Sequence, residues 1–242
     1  MKKSKIAIIY STNKYTDFIE QYNEKLLENT FNHYNVEIFP IKNYGDFSLT
    51  KAYNIGIEKV KEFTNNNLDE WIIVLCHHDI RILSKHWDKI LLQQFNYNSD
   101  LAIAGIAGSS QLINGCWWTD INGQMNTYKL QGHAFHSDGL KTWKSVYGNN
   151  KKILSDVIVL DGVFLCCNPN NIKHWFDEDF DDYHFYDVSW TFQNYIEGCR
   201  ISVINNIDIL HYSIGETNNT WEKNRLMFLE KYKNKLPIEL EK

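Results

Sequence analysis

Residues 70–80 read EWIIVLCHHDI, and the fold is decided there. The run 70–76 is apolar, rich in branched side chains and too short for a typical helix, which predicts a strand buried on both faces, as in a parallel sheet. It runs straight into His77, His78 and Asp79. Polar side chains therefore stand at the carboxyl end of a buried strand, where open α/β sheets bind ligands. The two-residue period of a strand turns His77 and Asp79 to one side and His78 to the other.

Working outward, two similar units precede this one. Residues 5–10 (KIAIIY) predict a first strand ending at Ser11, Thr12 and Asn13. A helix follows, capped by Thr16 or Asp17, with Glu20 placed to reach back and Phe18, Ile19, Tyr22 and Leu26 at helical spacing. Residues 35–41 predict a second strand, and Ser48 caps a second helix carrying Ala52, Ile55, Gly56 and Val60. After Asp79, Ser84 opens a helix with Trp87, Ile90, Leu91 and Phe95, and residues 101–105 supply a fourth strand. The first hundred residues thus read as doubly wound α/β. The rhythm is then lost. Residues 105–148 are rich in Gly, Asn, Trp and Ser, while 157–166 and 200–211 predict strands of a mixed sheet. Between these lies a helix over 187–198, with Gly198 terminating it. A last amphipathic helix over 220–233 is expected to act as a lid or packing element.

Bulk properties narrow the function. The 242 residues, 43% of them hydrophobic, suffice for one well-packed domain. The net charge is −5, and Lys and Arg form no patch free of acidic neighbours, so no nucleic acid partner is expected. Five cysteines, an odd number without C-x-x-C spacing, read as buried thiols in a reducing, cytoplasmic compartment. The apolar run 6–10 is too short for a signal-peptide core or a transmembrane segment. Aromatic residues make up 14% of the chain, enough for an aromatic core and for a cleft that stacks sugar faces.

Asp79 at a strand end suits Mg²⁺ or Mn²⁺, which are held by one or two carboxylates while phosphate oxygens and water fill the remaining positions. Taken alone, the His-His-Asp triplet reads first as a loop cap with two surface histidines, and context must turn it into a site. Three further segments each bring a polar group out of an apolar run: Asp161-Gly162, Phe185-Tyr186-Asp187, and His211 within IDILHYSIGE.

With these segments in order, the sequence resembles family-2-like glycosyltransferases of the GT-A fold, in a subgroup with an H-x-D element in place of D-x-D. The resemblance rests on Ala52-Tyr53-Asn54-x-Gly56, Cys76-His77-His78-Asp79-Ile80, Gly105-Ile106-Ala107-Gly108-Ser109, Leu160-Asp161-Gly162, His184-Phe185-Tyr186-Asp187 and His211-Tyr212-Ser213-x-Gly215. It implies a mixed central sheet flanked by helices, with a nucleotide-sugar-binding half over about 1–105, an acceptor-binding half over about 106–215 and a C-terminal helix in 216–242. It implies a nucleotide-diphospho-sugar donor, UDP-sugar favoured, and a divalent cation, Mn²⁺ or Mg²⁺, ligated by Asp79 and His211. Asp187 takes the position of the general base of an inverting transfer. Asp161, Trp117 and Trp118 fall where sugar or acceptor is held, and Ser11, Asn43, Lys51, Asn54 and His77 where the nucleotide is contacted. The acceptor is a glycan, a lipid-linked glycan or a protein, the lipid-linked case requiring peripheral membrane contact.

The chain departs from the common pattern in two places. His77 replaces the first acid of D-x-D, and as a neutral imidazole it can ligate Mn²⁺ or bond a ribose hydroxyl. Tyr53 replaces an arginine near the phosphates, a charge that Lys51 can supply. The acidic run Asp177, Glu178, Asp179, Asp181, Asp182 reads as a solvated loop, with a second cation site as the alternative. The rival functions are a nucleotidyltransferase, which lacks its Gly-rich basic loop here, and a nucleotide-sugar-binding scaffold in which His77 has weakened metal binding. A metallohydrolase on His77, His78 and Asp79 is excluded, since an extended strand cannot aim all three at one ion.

Overall fold

The computed structural model describes residues 2–148, 152–180, 182–213, 215 and 217–240. Strands β1 (Lys5–Thr12), β2 (Val36–Lys42) and β3 (Trp71–Cys76) alternate with helices α1 (Thr16–Leu27) and α2 (Leu49–Phe63). There follow β4 (Ile80–Ile82), α3 (Trp87–Tyr97), β5 (Leu101–Gly105), β6 (Ala107–Ser109), β7 (Gln111–Leu112), β8 (Leu130–Ser137) and β9 (Thr142–Tyr147). The chain ends with β10 (Leu154–Asp156), β11 (Val159–Leu160), β12 (Phe164–Cys167), α4 (Tyr186–Ile196), β13 (Arg200–Ile204), β14 (Ile209–His211), α5 (Asn219–Tyr232) and β15 (Ile238–Glu239).

The main sheet has the order β10-β13-β5-β12-β3-β1-β2. β1 is parallel to β2 and β3, and β5 to β13, while β12 runs antiparallel between β3 and β5. This is the mixed sheet that the sequence predicts. Strand alternation sorts its side chains into two cores. Ile6, Ile8, Ile72 and Val74 pack with Tyr22 and Leu26 of α1 and Trp87, Leu91 and Phe95 of α3. Ala7, Ile9, Ile73 and Leu75 pack with Tyr53, Ile57 and Val60 of α2 and Trp190 of α4. Burial on both faces is why 70–76 carries no polar residue after Glu70.

α2 is capped as expected: the Ser48 side chain accepts from Lys51 N. Gly56 faces β1, and a Cβ there would overlap Ile9 Cγ2. The helix therefore sits closer to the sheet than any larger residue allows. Gly56→Val should lower stability by about 1–3 kcal/mol, because a branched side chain must wedge helix from strand. A urea midpoint unchanged from wild type would contradict this packing.

The second sheet, β11-β6-β8-β14-β4 with β9 on the far side of β8, lies in the stretch where no rhythm was legible. The 105–148 segment is not irregular, since it holds β6, β8 and the exposed edge strand β9. Residues 157–166 do not form one strand but two, β11 and β12, broken by the turn at Asp161, whose carboxylate accepts from Val163 N. The helix expected from Ser84 begins at Trp87; the Ser84 hydroxyl instead accepts from Asp208 N. α5 packs through Phe228 and Tyr232, which join Phe192, Phe180 and Phe185 in a third core. All five cysteines are buried and free. Among the described residues, no helix is long and apolar enough to cross a membrane.

Candidate active site

The carboxyl end of β3 is held from both faces. Tyr53 of α2 donates its hydroxyl to Cys76 O, and Tyr22 of α1 donates to His77 O. His77 N donates to Val163 O, and Tyr212 N donates to Asp79 O. His77, His78 and Asp79 lie past the end of β3, in the turn before β4, so the strand alternation expected of them stops at Cys76; the turn itself brings His77 and Asp79 together. β14 lies between β4 and β8 in the second sheet, registering His211 with Ile80 on one side and His136 on the other. The two sheets thus bring a residue from late in the chain against the end of β3.

His77 Nδ1 lies 3.2 Å from His211 Nε2. Asp79 Oδ1 lies 3.4 Å from His211 Nε2 and 3.9 Å from His77 Nδ1. A point equidistant from three atoms so spaced is about 2.1 Å from each, the bond length of Mg²⁺ to oxygen and of Zn²⁺ to imidazole. The residues fit a divalent cation, and the donor set is two imidazoles and one carboxylate. Ionisation states agree with that fit. Burial pulls His77 down to about 4, reinforced by His211 and opposed by Asp79, so its ring is neutral near pH 7. Burial alone would raise the Asp79 carboxyl, but the hydrogen bond and charge of His211, with His77 and Ser213, hold it below the usual carboxylate range. A charged carboxylate and a neutral imidazole are the forms that ligate metal.

His77 and His211 of the triangle line a cleft of about 510 Å³ whose walls also include Asp161, Asp187 and the rings of Trp117, Trp118, Trp143 and Trp221. Asp187 stands in the first turn of α4, after Phe185 in a left-handed conformation (φ 64°). Its carboxylate accepts from Val188 N at 2.8 Å. Contacts of this kind at a helix N-terminus favour the charged carboxylate. The balance is the reverse: burial, then the charge of Asp161, raise Asp187 to about 7 against the amides of Val188, Asp187 and Gly162. Asp161 is raised too, by burial, against the Val163 amide, His211 and His136. Two carboxyls face one cleft, and the charge of Asp161 discourages the ionisation of Asp187. Trp117 is buried edge-on between Trp118 and Tyr147, while Trp118 leans on Trp221 of α5.

A second groove of about 800 Å³ lies between α1 and β4, lined by Lys14, Phe18, His78, Arg81, Tyr212 and Asp79 among others. Asp79 borders this groove, while His77 and His211 line the cleft.

The residues expected around the nucleotide are not gathered in one place. Only His77 lines the cleft. Ser11 is buried, with its carbonyl 3.2 Å from His78 Nδ1. Asn43 Oδ1 accepts from Gly45 N and Asp46 N, and its amide donates to Phe47 O, so the side chain closes its own loop. Asn54 donates to Phe176 O and Glu178 and accepts from Phe176 N. Lys51 sits on the outer side of α2 beside Trp175 and Glu178. In the acidic run, Asp177 pairs with Lys231, Glu178 is taken by Asn54, and Asp181 lies outside the described residues. Tyr186, Ser213, His136, Trp143 and Trp221 line the cleft without having been singled out as site residues in the sequence. The hydroxyl of Ser213 is 2.9 Å from His211 Nε2, and His136 stacks on Trp143. The only sequence signal for them is adjacency, Tyr186 to Asp187 and Ser213 to His211.

The mixed α/β sheet flanked by helices matches the GT-A fold of a solved glycosyltransferase. GalNAc-T7, solved with UDP, GalNAc and Mn²⁺, superposes with a TM-score of 0.58 over 94% of this chain and 48% of that one, at 9% identity. The present chain thus spans about half the length of GalNAc-T7. A mannosyltransferase, PcManGT from Pyrobaculum calidifontis in complex with GDP-Man and Mn²⁺, is also similar, with a TM-score of 0.48 and 11% identity over 94% of this chain and 62% of that one. No curated protein matches the sequence. Residues 7–232 match the family model described as "Glycosyltransferase like family", and the chain belongs to that family.

Proposed function

We propose that this protein transfers a sugar from a nucleoside-diphosphate donor, UDP-sugar favoured, to an acceptor hydroxyl, in a single displacement that inverts the anomeric carbon. The observation that carries this reading is the triangle of His77, Asp79 and His211, two of whose members, His77 and His211, line the same cleft as Asp187. His77, Asp79 and His211 would hold a divalent cation, which would supply Lewis-acid neutralisation of the charge on the departing diphosphate. Asp187 takes the proton of the acceptor hydroxyl as it attacks, Asp161 keeps the Asp187 carboxyl basic enough to do so, and Trp118, Trp143 and Trp221 offer ring faces to the acceptor. Trp117, edge-on and buried, supports Trp118. The alternative of a scaffold with impaired metal binding assumed that His77 weakens the site; its Nδ1 instead completes the triangle.

Calorimetric titration of UDP, GDP and CDP, with Mn²⁺ and with chelator, tests the proposal. Selective binding of one nucleoside diphosphate that requires the cation supports it; no binding of any of them under either condition sinks it.

A pH dependence follows from Asp187. Below about pH 7 the carboxyl holds its proton and cannot accept another; above, the carboxylate is free. The kcat/KM of the transfer should therefore rise through about pH 7. Asp161→Asn removes the neighbouring charge and should move that rise to lower pH, read from the pH profile of initial rates. A rise left in place would show that Asp161 does not set it.

A further inference from the structure

His77 Nε2, the ring nitrogen facing away from the triangle, lies 2.6 Å from the hydroxyl of Tyr186. We infer that Tyr186 is a positioning residue that takes the Nε2 proton of His77 in a hydrogen bond and so commits Nδ1, with its lone pair, to the cation. This rests on the reading that the triangle holds a divalent ion.

A neutral imidazole carries one N–H, and the nitrogen that ligates must be the other one. Nδ1 is the atom that faces His211 and Asp79. The proton must then reside on Nε2, which points into the protein and needs an acceptor there. Tyr186 is 3% exposed, and its hydroxyl, 2.6 Å from Nε2, has an oxygen lone pair to accept Nε2–H. Tyr53 and Phe176 pack against its ring and fix its direction. Outer partners of this kind set the orientation and tautomer of metal-bound histidines.

Gly162 provides an independent trace of the same contact. Its backbone is not in the left-handed region, so the conformation does not demand glycine. A Cβ at this position would overlap the Tyr186 hydroxyl and ring. The glycine after Asp161 is there for space, and that space lets the Tyr186 hydroxyl reach His77. Two motifs that looked separate in the sequence, Asp161-Gly162 and Tyr186-Asp187, thus meet behind the metal ligand.

The test uses the full chain without nucleotide. Mn²⁺ is titrated calorimetrically into wild type, Tyr186→Phe and Gly162→Ala, and histidine ¹⁵N spectra are taken of the Zn²⁺-loaded proteins. Tyr186→Phe keeps the ring and its packing, and should bind Mn²⁺ about 10–100-fold more weakly; Gly162→Ala, which displaces the hydroxyl, should weaken binding in the same direction. Wild type should show His77 protonated at Nε2 and hydrogen-bonded, and Tyr186→Phe should lose that hydrogen-bond signature. Equal Mn²⁺ affinity and an unchanged His77 signal in Tyr186→Phe would overturn the role of the tyrosine while leaving the cation site intact. If wild type takes up no divalent cation, the cation site and the inference fail together.

Discussion

Asp79→Ala should abolish cation-dependent nucleotide binding and lower sugar transfer by about 10³-fold or more, since a catalytic metal contributes several kcal/mol to transition-state charge stabilisation. The variant leaves two imidazoles 3.2 Å apart with no anionic ligand. Two neutral donors neither balance the charge of a divalent ion nor complete the triangle. The fold should survive, because the strand end is held by Tyr22, Tyr53 and Val163 through backbone atoms of Cys76 and His77, none of which involves the Asp79 side chain. Calorimetry with each nucleoside diphosphate, paired with a thermal melt, separates the two effects. If Asp79→Ala binds the nucleotide with undiminished cation dependence, the ion is held elsewhere.

How much of this was legible in the sequence depends on how a side chain gets its neighbours. β1 and β3 were plain because both faces are buried, and two-sided burial leaves an unbroken apolar run. His77 and Asp79 do meet, but through the turn between β3 and β4 rather than through strand alternation. The second sheet was obscure for the opposite reason. β6, β11 and β14 are two or three residues long, and β8 holds Gly132 at φ 99°, so no alternation persists long enough to be read. The pairing of His211 with His136 depends on the register between two such strands. His211 itself was found through family likeness rather than periodicity. Asn43 and Asn54 illustrate the converse. An amide at a strand end or helix start looks available in sequence, yet both spend their hydrogen bonds on neighbouring backbone. Buried polar groups are satisfied as a rule, and only coordinates show by whom.

The charge balance at Asp187 was likewise beyond the sequence, and it shapes the other large effect. Asp187→Asn should lower turnover about 10²–10⁴-fold, the range of a positioned general base, while leaving cation-dependent donor binding unchanged, since the side chain is no part of the triangle. The substitution is nearly isosteric, and the asparagine oxygen can still accept from Val188 N, where the carboxylate oxygen does now. Stability gives a second reading of the same residue. A carboxyl raised in the folded state to about 7 pays no penalty below the ordinary carboxylate range. It becomes progressively destabilising as pH climbs to about 7 and keeps that full cost above, because the unfolded chain ionises it more readily. Asparagine does not ionise, so the variant should equal wild type near pH 4 and melt at a higher temperature near pH 8. A variant that is inactive and more stable at alkaline pH would mark Asp187 as a group held in an unfavourable state for its chemistry. Retention of full turnover would remove it from the reaction, and a lower melting temperature at pH 8 would show that its amide contacts outweigh the cost of its buried charge.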